Sequence, residues 1–115
     1  MGRALGEFEQ MVLLALVRLG DDAYGVRIKE EIERRTGREL FIGAVYTALA
    51  RLQKSGAVSS RVGEPTAKRG GRRKKFYRLE PAGEVALNRA YAAYREMTSG
   101  IEPKLESMGT SRGSS

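Results

Sequence analysis

The chain has 115 residues, 41% of them hydrophobic and 30% charged, the size and balance of one soluble domain with a single small core. It contains neither cysteine nor histidine, so disulfides, thiolate and imidazole metal ligands, a thiol nucleophile and the usual general base are all missing, and no enzyme is expected. Lys and Arg outnumber Asp and Glu by 21 to 14, and the whole excess falls within positions 61–78, where eight cations face the single acid Glu64 and leave thirteen of each sign elsewhere. Leu5, Phe8, Val12, Ala15, Leu16 and Leu19 recur at helical spacing and predict a first helix, with Glu9 and Arg18 toward solvent and Gly20 at its end. Its apolar run, Met11 to Val17, is far shorter than the ~20 residues that span a bilayer and follows acidic residues rather than a basic leader. A soluble, unprocessed, cytoplasmic protein is therefore expected. Asp21 and Asp22 offer capping carboxylates for a second helix in which Tyr24, Ile28 and Ile32 share a face, Arg34 and Arg35 occupy the last turn, and Gly37 stops the chain.

A third helix is predicted from Ile42 to Ser55, because Val45, Leu49 and Leu52 repeat at four and three residues and Gly56 follows. Its other face combines Gly43, Ala44, Tyr46, Thr47, Ala50, Arg51 and Lys54, with no acid between Ile42 and Lys54. A solvated helix normally mixes both signs, whereas a surface that approaches phosphates and base edges favours small and basic side chains. Residues 57–62 alternate as a short strand and Lys75–Leu79 form its partner. Between them Gly63 to Arg73 is rich in turn residues and cations, which makes a hairpin with a long basic tip. A localised positive field of this kind needs a polyanion, and nucleic-acid phosphate is the commonest one.

The last predicted helix starts near Pro81 and carries Leu87, Tyr91, Tyr94 and Ile101, with Ala86, Ala90 and Met97 widening the stripe. Such a seam either covers the monomer's core or pairs with a second copy, and a chain this short gains from a shared core. Gly100 and Pro103 should weaken or kink this helix, while Leu105 and Met108 suggest one more apolar turn. From Gly109 onward Gly, Ser, Thr and Arg predict disorder.

Three helices, a basic hairpin and a final helix follow the order of a winged helix-turn-helix, mainly α with a small two-stranded sheet. Leu13-Leu14-Ala15-Leu16, Asp22-Ala23-Tyr24-Gly25-Val26, the run from Gly43 to Leu52 (GAVYTALARL), Lys54-Ser55-Gly56-Ala57-Val58 and the run from Arg72 to Leu79 (RRKKFYRL) succeed one another in register. Together they resemble the signatures of PadR-like transcriptional regulators. The resemblance implies a bacterial, homodimeric repressor that binds double-stranded DNA and responds to a small aromatic effector. It places Tyr46 at the DNA backbone and the hairpin arginines in the wing. The chain departs from the family in having Glu80 where a Thr usually opens the last helix, in lacking the Trp with which some short members sandwich flat drugs, and in stopping short of the further helical domain of longer members. The organisation that follows is a DNA-binding domain over 1–80, a dimerisation helix over 81–108 and a disordered tail over 109–115.

On this reading Gly43, Ala44 and Thr47 approach the major groove, and Tyr46, Arg51 and Lys54 hold phosphates. Lys68, Arg69, Arg72, Arg73, Lys74 and Lys75 form the wing. Leu87, Tyr91, Tyr94, Met97 and Ile101 make the dimer seam, with Tyr91 and Tyr94 either lining an effector pocket or simply packing. No cofactor, metal or membrane partner is expected. The competing readings are an RNA-binding or ribosome-associated protein, for which no exposed stacking platform is apparent although Phe76 and Tyr77 adjoin the cations and one of them could face outward, and a module whose last helix binds another protein. Catalysis finds no support: Gly70-Gly71 lacks the ending of a phosphate loop, and Glu30, Glu31 and Glu33 suit a solvated face paired with Arg27, Arg34 or Arg35.

Overall fold

In the computed structural model, which describes residues 4–63 and 74–113, five helices and two strands run in the order α1 (Glu7–Leu19), α2 (Gly25–Thr36), α3 (Ile42–Lys54), β1 (Val58–Val62), β2 (Lys75–Leu79), α4 (Pro81–Thr98) and α5 (Glu102–Gly113). The architecture is the mainly helical one with a two-stranded antiparallel sheet that the sequence predicts. α1 opens with the Gly6 N–H donating to Glu9 Oε1 at 3.0 Å and buries Val12, Leu13, Ala15 and Leu16. These meet Ile28 and Ile32 of α2 and Val45, Ala48, Leu49 and Leu52 of α3 in one core, closed below the sheet by Val58 and Tyr77.

Asp21 and Asp22 do not cap α2, contrary to expectation. They lie in a 3₁₀ turn, and Asp22 Oδ2 instead accepts from Arg27 Nε at 3.0 Å. The helix starts late because Ala23 and Tyr24 are drawn into the sheet: Tyr77 N–H donates to the Ala23 carbonyl at 2.8 Å, and Tyr24 bridges to Phe76. Tyr24 is thus the extended residue before the helix, with no side-chain cap. At the other end Gly37 takes φ 74°, the left-handed conformation that glycine adopts without a Cβ clash.

β1 and β2 pair with Val58 opposite Leu79, Ser60 opposite Tyr77 and Val62 opposite Lys75. Glu80 stands where a cap for α4 belongs, but its side chain caps nothing; it receives the Ser59 hydroxyl and lies 3.8 Å from Arg78 Nε. Pro81 supplies the first helical residue, where its missing N–H costs nothing. Gly83 is buried against the Ala57 carbonyl, which itself accepts the Glu80 N–H at 2.9 Å, so the first turn of α4 rests on the bend between α3 and β1. The expected single C-terminal helix is two: Gly100, at φ 86°, breaks it, and Pro103 falls in the first turn of α5, where proline is tolerated. α5 continues to Gly113, past Gly109, where composition predicts no order; one helical glycine costs only about 1 kcal/mol and does not stop a helix. Ser114 and Ser115 lie outside the described residues.

Candidate nucleic-acid interface

The turn before α3 is fixed from both sides. Glu33 accepts the Leu40 N–H at 2.9 Å and Lys29 Nζ at 3.1 Å, and Arg38 reaches Glu7 of α1 at 2.8 Å. Glu33 titrates below the usual carboxylate range, first through the Leu40 N–H and then through Lys29. With Val45, Ala48, Leu49 and Leu52 buried, α3 turns Gly43, Ala44, Tyr46, Thr47, Ala50, Arg51 and Lys54 outward, all of them exposed. Gly43, Thr47, Ala50 and Lys54 follow one another at four, three and four residues, so small side chains run along the middle of that face and Lys54 closes it.

Tyr46 is the flank of this face nearest the sheet. Its ring lies over Gly25, where a Cβ would stand 2.5 Å from the hydroxyl oxygen, and yet Tyr46 keeps 45% of its surface open. The neighbouring Tyr77 phenol is pushed above its usual value, mainly by burial and then by Tyr46. From this edge the sheet continues the surface: Tyr24 and Phe76 stack edge to face at 5.5 Å, Lys74 Nζ sits 4.2 Å from the centre of the Tyr24 ring, and Arg61 lies 4.7 Å over Phe76. Gln53 of α3 donates to Ser60 of β1 at 3.0 Å, a second tie between helix and hairpin.

The cations sort into two classes. Arg27, Lys29, Arg34, Arg35 and Arg38 all pair with acids. Arg51, Lys54, Arg61, Lys74 and Lys75 form no ion pair among the described residues, and all five are exposed; Arg18, Arg89, Arg95 and Lys104, away from α3 and the hairpin, share that condition. Positive charge is therefore available at α3 and at the loop end of the two strands, and neutralised along α2. Glu31 shows the second condition most fully. It takes Arg34 at 2.8 Å and Arg35 at 2.7 Å, the partners expected for it, but is only 7% exposed and so is not part of a solvated face.

Of the expected wing residues, Lys74 and Lys75 are at the loop end of β2, while Lys68, Arg69, Arg72 and Arg73 lie outside the described residues. Sequence reasoning placed Arg61 in the basic stretch but missed Tyr24 and Gly25 as parts of the surface. Gly25 and Tyr46 were visible only as separate motif residues, since their contact joins α2 to α3. The stacking platform required by the RNA reading is absent at the two residues named for it: Tyr77 is buried and Phe76 is half-buried between Tyr24 and Arg61. No group of metal-ligating side chains occurs among the described residues, and no helix among them is long and apolar enough to cross a membrane.

On α4, Leu87 packs against the chain's own core, whereas Tyr91, Tyr94 and Met97 are exposed, as is Ile101 beyond the Gly100 break. A groove of about 530 Å³ runs between α1, α3 and the first half of α4, lined by residues that include Leu5, Gln10, Leu52, Val85, Arg89 and Ala90. Tyr91 and Tyr94 do not line it.

A family model described as the transcriptional regulator PadR-like family matches residues 13–89. Among solved structures, a transcriptional regulator from Clostridium thermocellum is 27% identical with a TM-score of 0.66, and the match covers 83% of this chain and 89% of that one. A PadR family transcription regulator from Clostridium difficile is similar in fold, at 23% identity and a TM-score of 0.69 over 87% of this chain and 99% of its own. So is RosR of H. salinarum, at 23% identity and a TM-score of 0.65 over 97% and 94%. None of the curated proteins compared with the chain matches it. The matched segment runs from the middle of α1 into α4 and takes in the whole acid-free helix and hairpin: the chain belongs to the PadR-like family of DNA-binding transcriptional regulators, which are not enzymes.

Proposed function

We propose that the protein is a repressor that binds a pseudo-palindromic operator as a homodimer and is released by a small aromatic ligand. The observation that carries the DNA contact is the division of the cations: those of α2 are neutralised within the chain, while Arg51, Lys54, Arg61, Lys74 and Lys75 remain open around an acid-free α3. α3 enters the major groove with Gly43, Ala44 and Thr47 at the bases, and Tyr46, Arg51 and Lys54 hold the flanking phosphates. The hairpin wing lies on the backbone or in the minor groove, where Arg72 and Arg73 have the chemistry for a contact. The exposed Tyr91, Tyr94 and Met97 support pairing through α4, and the exposed Leu14 and Val17 support help from α1. Half-sites then lie ~34–36 Å apart, one duplex turn. Ligand release rests on the family resemblance and on Tyr91 and Tyr94, which a second copy would cover at the dimer centre.

Selection of bound duplexes from a random pool tests these features together. An inverted repeat with one-turn spacing is the expected product. Preference for single-stranded RNA in direct competition would favour the RNA reading, and a monomer in sedimentation at micromolar concentration would remove the homodimer. Replacing Arg72 and Arg73 with Ala should flatten the salt dependence of binding by about 0.9 for each phosphate that is no longer neutralised. A simple phenol added to the complex should raise the dissociation constant if the ligand reading is right.

A further inference from the structure

Phe41 is 85% exposed, more than any other large apolar side chain among the described residues. It is held there by its neighbours. Leu40 packs against the core and gives its N–H to Glu33 at 2.9 Å, and the Phe41 carbonyl accepts the Ala44 N–H at 3.0 Å. The backbone at Phe41 is extended, with φ −89° and ψ 136°, so the residue stands at the junction of turn and α3, immediately before the acid-free face. We infer that Phe41 is a specificity-determining residue whose ring reads the C5-methyl groups of thymines at the major-groove edge of each half-site, an inference that rests on the DNA-binding reading above.

The chemistry selects that occupant. A phenyl ring has no donor for a phosphate, and of the groups displayed in the major groove only the thymine methyl is apolar; the rest are ring nitrogens, carbonyl oxygens or amino groups. The residues that follow bring the ring to the bases rather than keep it away. Gly43, Thr47 and Ala50 are small and exposed, and Lys54 on the same line is an open cation for the backbone.

The test uses the duplex recovered by selection, with each thymine replaced in turn by deoxyuridine, which lacks only the methyl group. Wild-type protein should lose about fourfold in affinity at one or two thymines per half-site, the effect of burying one methyl-sized group. F41A should bind the parent duplex about tenfold more weakly and no longer distinguish thymine from uracil at those positions. Indifference of the wild type to uracil everywhere, or full discrimination retained by F41A, would overturn the inference and leave DNA binding standing. Failure of the wild type to select any duplex would instead remove the DNA reading itself. F41A must also sediment as the wild type does; dissociation would assign the ring to a contact between copies and overturn its role at the bases.

Discussion

Gly25 and Gly83 are both glycines for lack of space, but what fills the space differs. At Gly25 the obstacle is the ring of Tyr46, the free end of a side chain that can swing aside. Gly25→Ala should therefore cost no more than about 1 kcal/mol of stability, yet it displaces the Tyr46 hydroxyl proposed to hold a phosphate, and on that proposal should weaken operator binding about tenfold, in line with the removal of one hydrogen bond to a charged group. At Gly83 the obstacle is the Ala57 backbone carbonyl, which cannot yield. Gly83→Ala should lift the start of α4 and destabilise the fold by about 1–3 kcal/mol or more, as read by urea unfolding. Acid sensitivity belongs to this scale too. Arg35, and then Arg34, hold the Glu31 carboxyl down to about 2 from its ordinary 4.5. A depressed carboxylate stabilises the fold above its unfolded value, so this contribution is complete above pH 4.5 and disappears as the pH falls toward about 2. Glu31→Gln should flatten the decline in stability across that window, measured by unfolding at stepped pH, and an unchanged acid limb would show that the ion-pair group contributes nothing there.

At the scale of elements, the hairpin is joined to the helices through Tyr24, whose ring touches Phe76 on one side and lies under Lys74 on the other. Tyr24→Leu keeps the apolar contact but removes the edge-to-face pair and the cation's seat, which together suggest a loss of about 1–2 kcal/mol in stability. Because every cation remains, DNA affinity should fall while the salt slope stays as in the wild type. A flattened slope would mean that Lys74 itself had left the phosphates. This joint was not legible in the sequence. Periodicity located α1, α2 and α3 and the exposed composition of α3, because a helix's buried stripe is written in residues three and four apart. It misread the start of α2, because Asp21 and Asp22 look like caps until Ala23 and Tyr24 are seen to be held by β2, more than fifty positions away. Glu80, a departure from the family at the start of α4, is likewise settled by a distant partner, its side chain being taken by Ser59 across the hairpin. Local signals fixed the elements; long-range hydrogen bonds and the two crowded glycines fixed their ends and joints.

For the whole molecule, the radius of gyration is 16.7 Å, against about 13 Å for a compact chain of this length. The excess comes with an α4 whose first half, around Gly83 and Leu87, covers the core, and whose second half leaves Tyr94 69% and Met97 78% exposed. In the proposed homodimer this aromatic and thioether surface would be covered by a second copy, each residue being used twice across the two-fold axis. Replacing Tyr94 and Met97 together by Asp puts four like charges at such an interface while touching no residue of the core. The variant should sediment as a monomer with its unfolding unchanged at low protein concentration. It should bind a single half-site as the wild-type protomer does. On the full operator it loses the second, intramolecular binding event, and affinity should drop about 10²-fold or more. The salt slope should fall to about half, since only one set of cations displaces counterions in each complex. A monomeric variant that held the full operator as tightly as the wild type, with the same slope, would separate DNA reading from pairing and refute the two-copy arrangement.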